Sequence, residues 1–429
     1  MTTNEFIQSN LTADVHQLAL TASRHADIDL PYALTQIEGW QRAKTKLPLW
    51  AATQGIIFPQ SLPMEQCSSQ VAAEYKAHVW TQLGTTHPAP TTMTDLTAGF
   101  GVDATMLGRC FDHVTLIEQN PELCRLASHN MTLLGIKAHT IINSTCQEAI
   151  YTLPHQNLIF IDPARRDNHG HKTILLSDCS PDITMLQDTL LERADYVMAK
   201  LSPMLDVTAV ARTLTGITAL HIVSVGNECK EIIAVMSRKY DTRPMLHCIN
   251  LPDTPGHLPP SIPEGTNRLS LPLADILNHT PSPTGTSAHC PVWISSMAQT
   301  DKPATTPTAY LYEPNPSVMK AGVFQQVATQ FGIHQLHPNS HLYLSAHYID
   351  KFPGRKFRLT TICPLNKTGE KHLRQLGKAN ITVRNFPLSV AQLRQRLHLD
   401  DGGSTYIFAT TIAPANKRLL LICEKTQIR

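Results

Sequence analysis

The 429-residue sequence contains no Cys-x-x-Cys pair: its ten cysteines stand alone, at Cys67, Cys110, Cys124, Cys146, Cys179, Cys229, Cys248, Cys290, Cys363 and Cys423. Such scatter fits reduced, mostly structural thiols. None of the 21 histidines pairs at i,i+4 across a catalytic acid in the metalloprotease manner, so no structural or catalytic metal is expected. No apolar run approaches the roughly 18 residues that cross a bilayer. The opening Met1-Thr2-Thr3-Asn4-Glu5 lacks the basic, apolar pattern of a signal peptide, and a cytoplasmic protein is expected. At this length one ordinary core does not suffice, so three or four domains are expected.

Against these absences stand three turns, each closing an apolar strand-like run. Thr92 to Leu96 leads into Thr97-Ala98-Gly99-Phe100-Gly101, whose glycines permit tight turning and close ligand approach, and Asp103 to Cys110 then suits a helix aimed at that ligand. Asp95 lies four residues before Gly99. There it either accepts a hydrogen bond from an amine, favouring a cationic ligand such as S-adenosylmethionine, or ties down its own loop. Gly99-x-Gly101-x-x-Ala104 equally matches the dinucleotide fingerprint, so on this turn alone the two cofactors are level. His113 to Ile117 reads as a second strand. Glu118 follows Gly101 by seventeen residues, close to the roughly 20-residue offset at which an acid meets ribose hydroxyls. Ile141 and Ile142 mark a third strand, and Ser144, Thr145 and Cys146 form the turn facing the adenine position, with Ser144 the candidate contact.

The fourth strand ends in Asp162-Pro163-Ala164-Arg165. Pro163 fixes its own φ and holds Asp162 extended, so a carboxylate is rigidly presented beside a reactive methyl; Asp-Pro is also an ordinary turn signal. Tyr196 to Ala199, the fifth strand, delivers Lys200 to the same C-terminal edge, where ligands of open α/β sheets collect. Arg165, Arg166 and Lys200 are candidates for positioning a phosphate, Asp178 and Asp182 for a second acceptor site. Asp162-Pro163 turns the balance from NAD to methyl transfer.

With these residues in hand, the sequence resembles the class I S-adenosylmethionine-dependent methyltransferases. Asp95-x-x-x-Gly99-x-Gly101 stands as motif I, and Asp162-Pro163-Ala164-Arg165 as the motif IV variant of many RNA methyltransferases. This covers roughly residues 90 to 250. The whole chain further resembles a bacterial family of class I methyltransferases with a THUMP-like C-terminal domain. The marks are Glu65-Gln66-Cys67-Ser68-Ser69, Tyr75-Lys76-Ala77, Tyr312-Glu313-Pro314-Asn315-Pro316, Phe352-Pro353-Gly354-Arg355 and Arg384-Asn385-Phe386-Pro387. The resemblance implies an α/β fold: a Rossmann-like methyltransferase core with an N-terminal helical domain and small C-terminal α+β units, ferredoxin-like and THUMP-like. It implies S-adenosylmethionine held by Asp95, Thr97, Gly99, Gly101, Asp103, Glu118 and Ser144, with Asp162, Pro163, Arg165 and Lys200 as the catalytic set.

Domains are expected at 1–88 (helical), 89–275 (methyltransferase), 276–355 (ferredoxin-like) and 356–429 (THUMP-like). Leu34, Ile37, Trp40 and Ala43 recur at helical spacing, and one helix is expected from Pro63 to Leu83, with Cys67, Val71, Tyr75 and Val79 as its apolar stripe. Its other face carries Gln66, Ser68 and Lys76, which either close over the cofactor or face solvent. Thirteen of the 30 prolines fall between Leu251 and Pro316, a domain junction with short strands near Val292 to Ser295. From Lys351 to Arg396, eleven basic residues face a single acid, Glu370, in a chain whose net charge is only +2. Arg355, Lys356 and Arg384 lie in that segment as candidate RNA contacts; such asymmetry suits phosphate binding, or a solvated face balanced elsewhere.

The expected function is methylation of a nucleobase nitrogen in tRNA or rRNA, with Asp162 taking a hydrogen bond from the amine. Ser177-Asp178-Cys179-Ser180-Pro181 offers a carbon-methylating route through Cys179, but ahead of the fifth strand rather than in its family position. An NAD-linked oxidoreductase, a catalytically silent RNA-binding protein, and a methyltransferase of proteins or small molecules are the alternatives.

Overall fold

Local capping fixes where the first helices begin. Thr2 and Glu5 form a reciprocal box ahead of α1 (Thr3–Asn10). Asp14 accepts the Gln17 amide at 3.0 Å at the head of α2 (Val15–Thr21), and Asp29 accepts the Tyr32 amide before α3 (Leu30–Lys46). Phe6 and Ile7 bury against Ala33 and Ile37. After α4 (Pro48–Ala52), the single helix expected from Pro63 to Leu83 is two, α5 (Ser61–Gln66) and α6 (Gln70–Gln82). Cys67 is extended and the Ser69 hydroxyl caps the Ala72 amide, so the helix restarts there. That break carries Ser68 into the interior.

The computed structural model describes residues 1–21, 28–83, 90–136, 138–165, 175–239, 243–253, 267–277, 294, 296, 300, 302–413 and 416–426. They divide into two compact units, Met1–His247 with Leu251–Thr266, and Cys248–Asn250 with Asn267–Arg429. No helix among the described residues is long and apolar enough to cross a membrane.

In the first unit the chain alternates β1 (Thr92–Asp95), α7 (Val102–Gly108), β2 (His113–Glu118), α8 (Pro121–Leu133), β3 (His139–Asn143), α9 (Cys146–Ala149) and β4 (Gln156–Ile161). A short ribbon of β5 (Ala164–Arg165) and β6 (Cys179–Ser180) follows, then α10 (Ile183–Arg193), β7 (Ala194–Leu201), α11 (Val207–Thr213), β8 (Ile217–Val225) and β9 (Glu228–Met236); the residues of β10 (Met245–Leu251) are divided between the two units. The core strands lie in the order β8-β9-β7-β4-β1-β2-β3. β1 to β4 and β7 pair in parallel, while β9 runs antiparallel between β7 and β8. All nine residues of β8 are buried, the polar Thr218, His221 and Ser224 among its apolar ones, as suits a strand covered on both faces. Strand order reverses between β1 and β4, and a crevice forms outside the strand ends at such a reversal. The helical region shares a core with that crevice: Leu47, Trp50, Phe58 and Met64 pack with Phe100, Val102 and Met106.

The second unit contains β11 (Asn267–Pro272), α12 (Ala274–Leu277) and one sheet formed by β12 (Ala304–Pro314), β13 (His334–Gln335), β14 (Tyr343–Ser345), β15 (Gly354–Pro364), β16 (Asn380–Arg384), β17 (Thr405–Ile412) and β18 (Lys417–Lys425). Its order is β13-β14-β12-β15-β18-β17-β16, antiparallel except between β16 and β17. Leu311, Phe357, Phe408 and Leu421 build its core. The helical periodicity of Ser317 to Phe331 is divided by Gly322, at φ 69°, into helices Pro316–Ala321 and Phe324–Phe331. Val292, Trp293 and Ser295, where a strand is expected, lie outside the described residues.

Gly354 sits where β15 enters the sheet, and a Cβ there would lie 2.0 Å from the Glu313 carbonyl oxygen. Because backbone cannot yield as a side chain does, Gly354→Ala should cost about 3 kcal/mol, read from the midpoint of urea denaturation. Wild-type stability in the variant would contradict this packing.

Candidate active site

The site forms where β1 ends. Gly99 and Gly101 have φ of 52° and 82°, left-handed values that side chains resist, and Gly101 starts α7. The Ala98 amide reaches back to the Ile117 carbonyl at 3.0 Å, so the turn is stitched to β2. Glu118, at the end of β2, accepts the Gly99 amide at 2.8 Å through one oxygen and the Asn120 amide at 2.8 Å through the other. Its carboxylate therefore lies against the glycine turn. Ser144 is at the end of β3; its amide donates to the Glu118 carbonyl at 3.2 Å and its hydroxyl to Glu148 at 3.1 Å.

Asp95 is 1% exposed and accepts the Thr97 amide at 2.9 Å. Burial pushes its carboxyl well above the usual range, although the Thr97 amide pulls the other way; Asp103, Asp162 and Glu118 also raise it. The Thr97 hydroxyl accepts the Asp162 amide at 2.7 Å, joining motif I to the Asp162-Pro163 tetrad. Lys200, from β7, pairs with Asp162 at 2.6 Å. Burial disfavours the Lys200 ammonium, but Asp162, Asp103 and Glu231 more than compensate and its pKa rises. Asp95, Thr97, Gly99, Gly101, Glu118, Asp162 and Lys200 thus gather at one edge.

Other candidates have local employment. Asp103 faces α6, where its carboxylate meets Lys76 at 3.0 Å and Ser68 at 2.8 Å. Asp182 caps α10, accepting the Thr184 amide and hydroxyl at 2.9 and 2.7 Å, and Asp178 accepts the Leu175 amide at 2.9 Å. The Arg165 side chain and all of Arg166 lie outside the described residues. Cys179 is buried within the ribbon opposite Arg165, so its thiol presents no surface from which to attack a base. Lys76, allotted to an exposed helix face or to closing over the cofactor, is wholly buried and also meets Glu231 at 2.7 Å. A lysine abutting an apolar stripe, with two acids at distant strand and helix starts, is the only sequence signal for it.

The basic segment of the second unit is largely neutralised by acids outside its sequence window. Arg355 and Arg384 both hold Glu313, which is 2% exposed; Lys356 pairs with Asp350, Arg358 with Glu424, and Arg394 with Asp401. Arg374 and Arg396 share Glu370. Lys351, Lys367, Lys371 and Lys378 form no ion pair among the described residues. Arg355, Lys356 and Arg384 are therefore committed to the protein's own acids.

A parallel-rich sheet with an antiparallel β9, a glycine turn after β1 and an acid after β2 define a class I methyltransferase core. The structure is similar to that of a Porphyromonas gingivalis W83 protein bearing a provisional methyltransferase designation, at 30% identity, covering 99% of this chain and 97% of that one with a TM-score of 0.79. Family models match residues 310–353 as a ferredoxin-like domain and 354–425 as a THUMP domain-like segment. The chain belongs to the same family as the P. gingivalis protein, class I methyltransferases with a THUMP-like C-terminal domain. Slighter likenesses carry no argument: a SAM-dependent methyltransferase from Agrobacterium tumefaciens (11% identity, 39% of this chain and 60% of that one, TM-score 0.29) and an rRNA methylase from Streptococcus thermophilus (12%, 38% and 94%, 0.29). No curated protein matches the chain.

A carboxyl raised by folding favours the fold while protonated. Its contribution is complete below the unfolded value, near 3.8, and is lost as pH rises through the folded value. Ligand-free protein should therefore shed up to about 1.4 kcal/mol per pH unit between the unfolded and the folded value, and Asp95→Asn should remove this slope in denaturation series at stepped pH. An unchanged slope in the variant would assign it to another group.

Proposed function

We propose that this chain is an S-adenosylmethionine-dependent methyltransferase acting on a nucleobase nitrogen of RNA, a tRNA or an rRNA. The charge balance around the glycine turn carries the cofactor reading: with Asp95 driven towards its neutral form, Asp103, Glu118, Asp162 and Glu231 still outnumber Lys76 and Lys200, linked by close pairs or mutual electrostatic effects. Carboxylates in excess suit a sulfonium cation and oppose the pyrophosphate of NAD. Gly99, where a Cβ would meet nothing nearer than the Thr97 carbonyl at 4.0 Å, leaves the turn open to the ligand, while Gly101 lets it pack against Ala127; Glu118 suits the ribose, and Ser144 borders the adenine side.

S-adenosylmethionine supplies an electrophilic methyl on positively charged sulfur. The residues' own work is alignment, for which effective molarities can reach roughly 10⁵ M or more. Asp162, partly exposed beyond β4, accepts a hydrogen bond from the acceptor amine and directs its lone pair; Thr97 and Pro163 fix the backbone that presents it. Lys200 stays protonated among its carboxylates, so it orients Asp162 as a counter-ion; the proton shed by the methylated amine passes to the Asp162 carboxylate and from there to solvent, while the sulfur leaves as a neutral thioether. RNA as the acceptor is supported by the THUMP domain-like segment and by the lysines left without ion pairs. The working division of labour is 1–88 as helical cover, 89–275 as catalyst, 276–355 as connector and 356–429 as the RNA-holding part.

Labelled methyl transfer into RNA from a strain lacking the gene, followed by nucleoside mass spectrometry, tests the reading beside protein and small-molecule fractions. Wild-type protein should label RNA, and Asp162→Ala should label it about a hundredfold less. Label confined to protein or small molecules would replace the acceptor; RNA binding that persists without any methyl transfer would favour a silent RNA-binding protein.

A further inference from the structure

Lys76 belongs to α6, outside the sheet, yet its ammonium is fully buried between Asp103 on the first turn of α7 and Glu231 on β9, at 3.0 and 2.7 Å. Ser68 completes the arrangement, receiving a hydrogen bond from Lys76 at 3.1 Å and donating one to Asp103 at 2.8 Å. Lys200 on β7 is the next charged group facing these carboxylates. Tyr75, the neighbour of Lys76 on α6, reaches His221 of β8 at 2.9 Å, and His247 stacks on that imidazole. Burial works to raise the Asp103 carboxyl, but Lys76, Lys200 and Ser68 outweigh it and hold it low; at Glu231 burial prevails and raises it.

Asp103 and Glu231 share the Lys76 ammonium, and the second ammonium facing them, Lys200, is held by Asp162 at 2.6 Å, so three carboxylates stand against two ammonium groups. Well-packed apolar side chains often replace buried ion triads without loss of stability, so stability alone does not account for this one. Its location is more informative: Asp103 lies two residues beyond Gly101, the left-handed residue on which the cofactor turn closes. We infer that Lys76 is a positioning residue for the cofactor site: it fixes Asp103 beneath the glycine turn, and the surplus charge of the Lys76–Asp103–Glu231 network favours a sulfonium ligand over its neutral thioether product. This rests on the methyltransferase reading. Under it, the helical region takes part in ligand discrimination, and loss of the positive charge on methyl transfer weakens this part of the hold on the product.

The test is calorimetric affinity of the full chain for S-adenosylmethionine and for S-adenosylhomocysteine. Lys76→Met combined with Asp103→Asn and Glu231→Gln removes all three charges at similar volume. The expected result is a folded protein whose preference for the sulfonium over the thioether falls about tenfold, since one net negative charge is gone. Glu231→Gln alone removes the surplus with the least disturbance and should shift the preference in the same direction, so it decides the matter even if the triple variant does not fold. Lys76→Arg, which keeps the charge, should retain the wild-type preference. An unchanged preference in Glu231→Gln overturns the inference, because a purely structural network would alter both affinities alike. If the wild-type chain binds neither ligand, the cofactor reading itself falls.

Discussion

The placement of β1 at the reversal of the sheet is the constraint on which the first unit depends. Held in parallel between β2 and β4, it ends in a carboxylate that water does not reach, and the chain must leave it without colliding with either neighbour. Gly99 and Gly101 provide that exit through left-handed backbone. Once the turn is made, Glu118 on one side and the Thr97–Asp162 contact on the other fall into reach without further contrivance. The site is a product of strand order before it is a product of side chains.

Burying so many ionisable groups costs free energy, and each described carboxylate meets that cost differently. Asp95 leans on a backbone amide and moves towards its neutral form; Asp103 is kept charged by Lys76; Asp162 takes Lys200. The contrast matters because Glu118 accepts backbone amides and forms no ion pair among the described residues, so its negative charge is left for a cationic ligand. A site with every acid paired would have little attraction left for it.

Much of this was legible in the sequence where the cause is local. The strands that stop at Asp95, Glu118 and Ile161 follow from runs closed by turn chemistry. Cys67 to Ser69 misled, since an apolar stripe continues across a break that a single serine cap imposes. Lys76 was illegible for a different reason: its partners lie on α7 and β9, and no window along α6 reveals that a polar face is turned inward. Charge counting from Lys351 to Arg396 left phosphate binding and a face balanced elsewhere both open, for a similar reason. The balancing acids Glu313, Asp350, Asp401 and Glu424 sit outside the counted segment and are brought in by pairing of β12, β15 and β18 and by neighbouring turns.

Glu313 also bears on how this part of the molecule can be inherited. It lies in the ferredoxin-like segment, while both arginines that hold its buried carboxylate, Arg355 and Arg384, come from the THUMP-like one, and β12 and β15 pair across the same boundary. Neither segment could be exchanged by recombination without orphaning a charge and exposing a strand edge in the other. What sequence comparison describes as two modules is, for the purposes of descent, a single heritable block.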